Sequence, residues 1–293
     1  MQNQLIRASV RTMYDLQKLR IQAGNRIVAA FRVKLGIEPG EKEDEETEAG
    51  KLLDELRKEY KRITDGVKRL TKGMKINSPL ITTMGELALL EAYERQCQVE
   101  AMHEKAIQDA LDNTEIWNQF LLGVRGVGPL MGGVILSEID IHKARHVSSL
   151  WKLAGIDVAP NNDGVMEGRS RKKHHLVPKT YTNAEGEVIE TVGITFNPFL
   201  KTKLVGVLAD VFIKLGGKYR TVYDGYKNRL ENHPKWAEKT KGHRHNAAKR
   251  YMIKVFLQDL WLAWRKIEGL PVSEPYAKAK LGINHGGEYD IAA

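Results

Sequence analysis

Apolar residues recur at helical spacing through the first third of the chain. Residues 7–35 read as one helix, which Gly36 ends and Pro39 cannot continue. Glu38, Glu41, Glu43, Asp44, Glu45 and Glu46 then make residues 37–47 acidic, as in a solvated linker. A second helix is predicted over about 48–70. There Leu53, Leu56, Tyr60, Ile63, Val67 and Leu70 stand 3, 4, 3, 4 and 3 residues apart, the seam of a coiled coil. Ser78-Pro79 sets the start of a third helix reaching about Leu111, roughly 50 Å long at ~1.5 Å per residue. Its stripe includes Leu80, Met84, Leu87, Leu90 and Cys97. Residues 1–112 therefore read as an antiparallel coiled coil with an extra N-terminal helix. Two uses of the seam are open: packing inside one chain, or pairing of two chains. The expected partner is a second copy, in a homodimer.

The pattern changes at Asn113. Asn113 or Thr114 is placed to cap a short helix through about Leu122. A glycine-rich turn and another helix to Glu138 follow, then a helical turn or two over 148–154. Residues 155–196 lose the helical period and are punctuated by Gly155, Pro160, Gly164, Gly168, Pro178, Gly186 and Gly193. Two strand-like runs, 188–191 and 193–196, follow the turn signal Asn183-Ala184-Glu185-Gly186. This region reads as a small β-hairpin with a basic loop. Helices resume over 198–215 and 218–232. A last helix over about 246–268 carries Tyr251, Met252, Val255, Phe256, Leu260, Trp261 and Trp264, apolar on most of its circumference. It is the expected core helix of a second domain, residues 113–275, followed by a tail at 276–293. The fold class is mainly α: coiled-coil helices, then a helical helix–hairpin–helix domain with a small β-hairpin insertion.

Composition narrows the partners. The 293 residues carry a net charge of +9 with a pI near 9.4, and a mean hydropathy of -0.41. No apolar run approaches the ~20 residues that span a bilayer, and the first 30 residues lack an apolar block of signal-peptide type. The lone Cys97 excludes an internal disulfide framework and a cysteine-rich zinc site, which fits a reducing cytoplasm. Excess Lys and Arg gain affinity for polyphosphate by releasing condensed counterions. The expected partner is nucleic acid, DNA ahead of RNA, with no membrane and no cofactor.

Three features carry candidate chemistry. In Gly126-Val127-Gly128 two glycines flank one apolar residue, between Leu121, Leu122 and Val134, Ile135. Such a hairpin is tight enough to aim backbone amides outward at the start of a helix, where a phosphate oxygen is welcome. Arg125 adds charge and Val127 anchors the turn. The second feature is Arg169-Ser170-Arg171-Lys172-Lys173-His174-His175, with Lys179 and Tyr181 beyond it. Four cations in five residues suit a path for a phosphate backbone. The third lies over 235–254, with Lys239, Lys241, His243, Arg244, His245, Lys249, Arg250 and Lys254. Cations at a helix N-terminus oppose its dipole, and a phosphate partner relieves that. His243 and His245 lack a convincing ligand set, so no metal is expected. Asp157, Asp163 and Glu167 are close in sequence but fall in a loop, which does not make a two-metal site.

The C-terminal two-thirds resembles the transposases of the IS-one-ten insertion sequences, the DEDD-type, bridge-RNA-guided recombinases. The resemblance rests on Leu122-Gly123-Val124-Arg125-Gly126-Val127-Gly128-Pro129 with Ile135-Leu136-Ser137-Glu138-Ile139. It continues in Leu150-Trp151-Lys152-Leu153-Ala154-Gly155-Ile156 and in the basic-then-apolar run 241–264. Residues 16–35 are similar, more loosely, to the coiled coil that precedes this domain in the family. Two departures stand out. The family's RuvC-like domain with its four metal-binding acids has no counterpart here, and the chain begins at the coiled coil. The family's nucleophilic serine follows the leucine–glycine segment, where this chain reads Pro160-Asn161-Asn162-Asp163-Gly164. Ser170 is the nearest hydroxyl candidate. The resemblance therefore implies a transposase-derived, catalytically inactive DNA-binding protein. The alternative is a strand-transfer subunit using Ser170 together with a separately encoded nuclease domain. A third reading makes the coiled coil the working part and the charge an aid to solubility.

Overall fold

The computed structural model describes residues 2–38, 40–42, 44, 46–65, 82–160, 166–168 and 176–273, which fall into two compact units, 1–110 and 111–293. Helices dominate both. Among the described residues, no helix is long and apolar enough to cross a membrane.

The first unit holds α1 (Gln2–Lys34), α2 (Glu48–Asp65) and most of α3 (Met84–Asp112). Two ion pairs set the direction of α3 against α1. Arg20 meets Glu100 in a two-pronged pair, and Lys34 reaches Glu86 at 2.6 Å. Fourteen residues forward on α1 are thus fourteen back on α3, so the two helices run antiparallel. Leu53 and Leu56 of α2 pack with Ile27, Phe31, Leu90, Tyr93 and Cys97 in one buried cluster. This part of the seam is filled within the chain, one of the two uses left open by the sequence. Two of its other members, Val67 and Leu70, lie outside the described residues.

Helix ends follow local chemistry. Gly36 takes φ +73 at the end of α1, and the Ile37 N–H donates to the Arg32 carbonyl while the Gly36 N–H donates to Val33. This is a complete Schellman motif. Gly155, after the helix Val147–Leu153, and Gly269, after the helix Lys241–Ile267, repeat it, each at φ +62. At its start α3 departs from expectation, beginning at Met84 rather than Pro79. The Thr83 hydroxyl accepts from the Glu86 N–H at 3.2 Å, and the Glu86 carboxylate accepts from the Thr83 N–H at 3.0 Å. That capping box fixes the start.

The second unit opens with α4 (Glu115–Gln119) and a 3-10 turn (Leu121–Gly123). Thr114 precedes α4 but does not cap it; its hydroxyl donates instead to the Leu111 carbonyl at 2.7 Å. After the glycine turn come α5 (Pro129–Glu138) and α6 (Val147–Leu153), then β1 (Val158–Pro160) paired antiparallel with β2 (Met166–Gly168). A second antiparallel pair joins β3 (Leu176–Thr182) to β4 (Val188–Ile194), in register Leu176↔Ile194 to Thr182↔Val188. The expected hairpin exists, but its strands differ from the two short runs read from sequence. Those runs fall largely in one strand, β4, whose partner is 176–182.

Helix resumes as α7 (Pro198–Lys201), a π-helical stretch (Thr202–Leu208) and α8 (Ala209–Leu215). Asn197 secures this start: its side chain accepts from the Leu200 N–H, its amide group donates to Glu138 at the end of α5, and its N–H donates to the Leu153 carbonyl. Then come α9 (Lys218–Glu231), α10 (Pro234–Ala237) and α11 (Lys241–Ile267). Thr240 caps α11 by accepting from the His243 N–H at 3.2 Å, so the helix begins five residues before the predicted Asn246. As expected, α11 is the core helix. Met252, Ile253, Phe256, Leu257, Leu260 and Trp261 are buried, and Phe212, Tyr219 and Phe256 form a triangle of rings 4.7–5.5 Å apart. The Trp261 indole N–H and the buried Arg265 guanidinium both donate to the Ala144 carbonyl, pinning residues 141–144 to α11.

Candidate nucleic-acid interface

The glycine turn is built as its spacing implied. Gly126 takes φ +102, and a Cβ there would lie 2.9 Å from Val211 Cγ1, so only glycine permits this approach to α8. Val127 is buried between the two exposed positions Arg125 and Gly128. Gly128 is the N-cap of α5 and Pro129 its first residue, which removes one N–H from the set facing outward. The amides of Gly128, Leu130 and Met131 head the helix there. Arg125 is exposed beside them.

A larger site lies between α9, α10, α11 and the β1–β2 pair. It is a cleft of about 660 Å³ lined by Gly155, Ile156, Asp157, Val158, Gly168, Lys201, Tyr226, Trp236, His243, Ala247, Arg250, Tyr251 and Lys254. Tyr226 and Tyr251 stack face to face, 3.9 Å between centroids and 10° apart in plane. The pair also lines an adjoining groove of about 570 Å³ with Lys218, Thr221 and Arg229. Trp236 stands 5.4 Å from the His243 ring. It is carried by α10, whose carbonyl at Trp236 accepts from Arg244 at 3.3 Å.

Arg250 and Lys254 are four residues apart and so share one face of α11. Burial pushes the Arg250 guanidinium down from its ordinary value, with Tyr226 opposing. Burial also pushes the Lys254 ammonium down; Asp157 opposes it and Arg250 adds to it. The Lys254 ammonium sits 5.4 Å above the Trp151 ring, whose N–H donates to the Lys254 carbonyl at 3.1 Å. Lys201 lies 4.6 Å over Phe196 at the same cleft. Two desolvated like charges side by side cost free energy that an anion placed between them returns.

The residues singled out from sequence divide. Arg250 lines the cleft. Arg244 engages the backbone carbonyls of Trp236 and Lys239, which holds the turn before α11. Lys249, only 7% exposed, is ion-paired with Asp210 at 2.7 Å. Lys239 and Lys241 are exposed at that turn and do not line the cleft; Lys179 is exposed on β3, its side chain lying across Gly193. Arg169, Ser170, Arg171, Lys172 and Lys173 lie outside the described residues, though they follow the cleft residue Gly168 directly in sequence. Lys201, Tyr226 and Trp236 were missed, because long-range packing assembles them and no local spacing announces it. Lys254 and His243 were visible within the basic run. Among the described residues, no three His, Cys, Asp or Glu side chains gather as metal ligands.

Set against known protein families, curated proteins and solved structures, the chain gives no significant match.

Proposed function

We propose that this protein is a cytoplasmic, transposase-derived DNA-binding protein of IS-one-ten type, acting by binding rather than by catalysis. The observation that carries the reading is the pair Arg250 and Lys254, half-buried, like-charged and adjacent on α11, at the centre of a cleft with Lys201 and His243. A phosphate oxygen adds negative charge to a cleft whose lining sets one carboxylate, Asp157, against Lys201, Arg250 and Lys254. The Gly126–Gly128 turn offers a second phosphate contact at the N-terminus of α5, and the basic run 169–173 follows the cleft residue Gly168 in sequence. Contacts of this kind hold a sugar–phosphate backbone without reading its sequence.

The test is fluorescence anisotropy of a labelled duplex and a labelled single strand with the full chain and with Arg250→Ala/Lys254→Ala. Loss of at least tenfold in affinity from the double change supports the reading, since each charge-assisted hydrogen bond is worth about 1.5–3 kcal/mol. Equal affinity of the two proteins for both ligands removes the cleft from the interface.

The reading extends to pairing of two chains through the first unit. Leu5, Leu19 and Val33 are 69%, 54% and 67% exposed and recur every fourteen residues along α1, hence on one face in a heptad frame. They stand apart from the seam filled by Leu53 and Leu56. Sedimentation of the full chain at a monomer mass up to high concentration would end this extension.

A further inference from the structure

The cleft holds more than cations. Four rings line it: Tyr226, Trp236, His243 and Tyr251. A phosphate clamp alone has no use for them, and the hydrophobic core does not take them in, since Tyr226, Trp236, His243 and Tyr251 are all at least partly exposed. Duplex DNA keeps its bases stacked on each other and shows a protein only phosphates, sugars and groove edges. An aromatic face inside a cavity is usable by an unpaired base, because every base has a π-face and stacking does not depend on sequence. Alternation of cations with rings is the composition of single-strand sites.

The geometry fits that use. Tyr226 from α9 and Tyr251 from α11 lie 3.9 Å apart between ring centroids and 10° from parallel, a stack closer than the ~4.5–7 Å usual for aromatic pairs. The pair lines both the cleft of about 660 Å³ and the groove of about 570 Å³, so one aromatic stack is continuous between two cavities. Cations flank it along this path, with Arg250 and Lys254 on one side and on the other Arg229 and Lys218, whose exposed ammonium also pairs with Asp259 at 2.8 Å. Each cavity falls within the ~300–1,000 Å³ that small ligands occupy, a size for separate nucleotides rather than for a double helix.

We infer that the Tyr226–Tyr251 stack is a base-stacking platform and that the cleft and groove together take an unpaired, single-stranded segment of nucleic acid, its phosphates running past Lys218, Arg229, Arg250 and Lys254. This inference rests on the reading of the cleft as a nucleic-acid site and names the form of nucleic acid it accepts. Duplex contacts then belong to the glycine turn and the other basic surfaces.

The experiment compares a fluorescein-labelled twelve-residue oligothymidylate with a duplex of equal length, using the full chain at one salt concentration. Three proteins are measured: the unchanged chain, Tyr226→Leu/Tyr251→Leu, which removes the rings but keeps apolar bulk, and Arg250→Ala/Lys254→Ala. Circular dichroism and melting temperature check that the variants are folded, and the single variants Tyr226→Leu and Tyr251→Leu replace the double one if it is not. The expected result is that the tyrosine change weakens the single strand about tenfold or more and the duplex by less than twofold, a stacked base being worth ~1–3 kcal/mol. Single-strand binding that survives loss of both rings overturns the platform, and leaves the phosphate reading standing if the Arg250/Lys254 change still weakens it. Binding of duplex with no binding of the single strand overturns the platform too. No binding of either ligand overturns both.

Discussion

Gly155 joins the fold to the cleft, and replacing it by alanine separates two costs. It lines the cleft and is the left-handed residue of the Schellman motif after α6, at φ +62. An added Cβ would lie 2.5 Å from Phe196 Cδ2 and 2.6 Å from Cγ, and the ring has a flexible side chain's far end neither at Cγ nor at Cβ, which is itself 3.1 Å away. Gly269 occupies the same place after α11 at the same φ of +62, with nothing within 4 Å of its added Cβ. The backbone cost is therefore shared, at about 1–2 kcal/mol for an L-residue in the left-handed region. Gly155→Ala adds overpacking of about 1–3 kcal/mol, for a total of ~2–5 kcal/mol. Both sites lie in the second unit, as do all five tryptophans, 117, 151, 236, 261 and 264. Urea unfolding followed by tryptophan fluorescence thus reads that unit alone. With a slope of ~2 kcal/mol per molar, Gly155→Ala should lower the midpoint by roughly 1 M more than Gly269→Ala. Phe196→Leu in the Gly155→Ala background should recover part of that difference, a coupling that two independent sites would not show. Equal midpoints for the two alanine variants would refute the steric reasoning.

Other expectations follow from the same contacts. Gly132→Ala would set a Cβ 2.6 Å from the Trp117 ring; the overpacking of ~1–3 kcal/mol outweighs the ~1 kcal/mol gained in helix propensity, so the second unit melts lower. Lys249→Met should leave duplex affinity within about twofold, because its ammonium serves Asp210, and should cost no more than ~1–2 kcal/mol since the half-exposed Asp210 rehydrates. Burial and then Lys249 push the His245 imidazole below its ordinary value, Asp210 opposing and Lys227 adding. The folded chain then binds fewer protons than the unfolded one, so its stability is full above the unfolded value near pH 6.5 and falls as the pH drops below it. A His245→Gln chain, melted between about pH 7 and 5, should lose less than the unchanged chain over that window.

Much of the architecture was written in local signals, and its failures have local causes. Gly36 ended α1 as expected because a left-handed glycine completes the Schellman bonds wherever it falls. The Ser78-Pro79 signal for α3 yielded to Thr83 and Glu86, a reciprocal cap four residues nearer the stripe that packs. The start of α11 was placed late because Lys241 to His245 are polar, and only the cap at Thr240 marks them as helical. The strand 176–182 escaped notice because Pro178 breaks a strand pattern; in a two-stranded pair both strands are edges, where proline is tolerated. The π-helical stretch 202–208 has no sequence mark that we can identify. At the candidate site, Arg250 and Lys254 declare a shared helical face by their spacing. Tyr226 and Trp236 reach the same cleft only because α9 and α10 fold back on α11.

DNA binding through the cleft is tested most directly by the salt slope. The affinity of the full chain for duplex and for oligothymidylate should be measured over 50 to 200 mM salt, with Arg250→Ala/Lys254→Ala alongside, at a slope of about −0.9 per phosphate contact on duplex and −0.7 on single strands. The prediction is a steep slope that the double change reduces by about 1.4–1.8 on the ligand that occupies the cleft. A slope that is unchanged for both ligands when Arg250 and Lys254 are removed would contradict it.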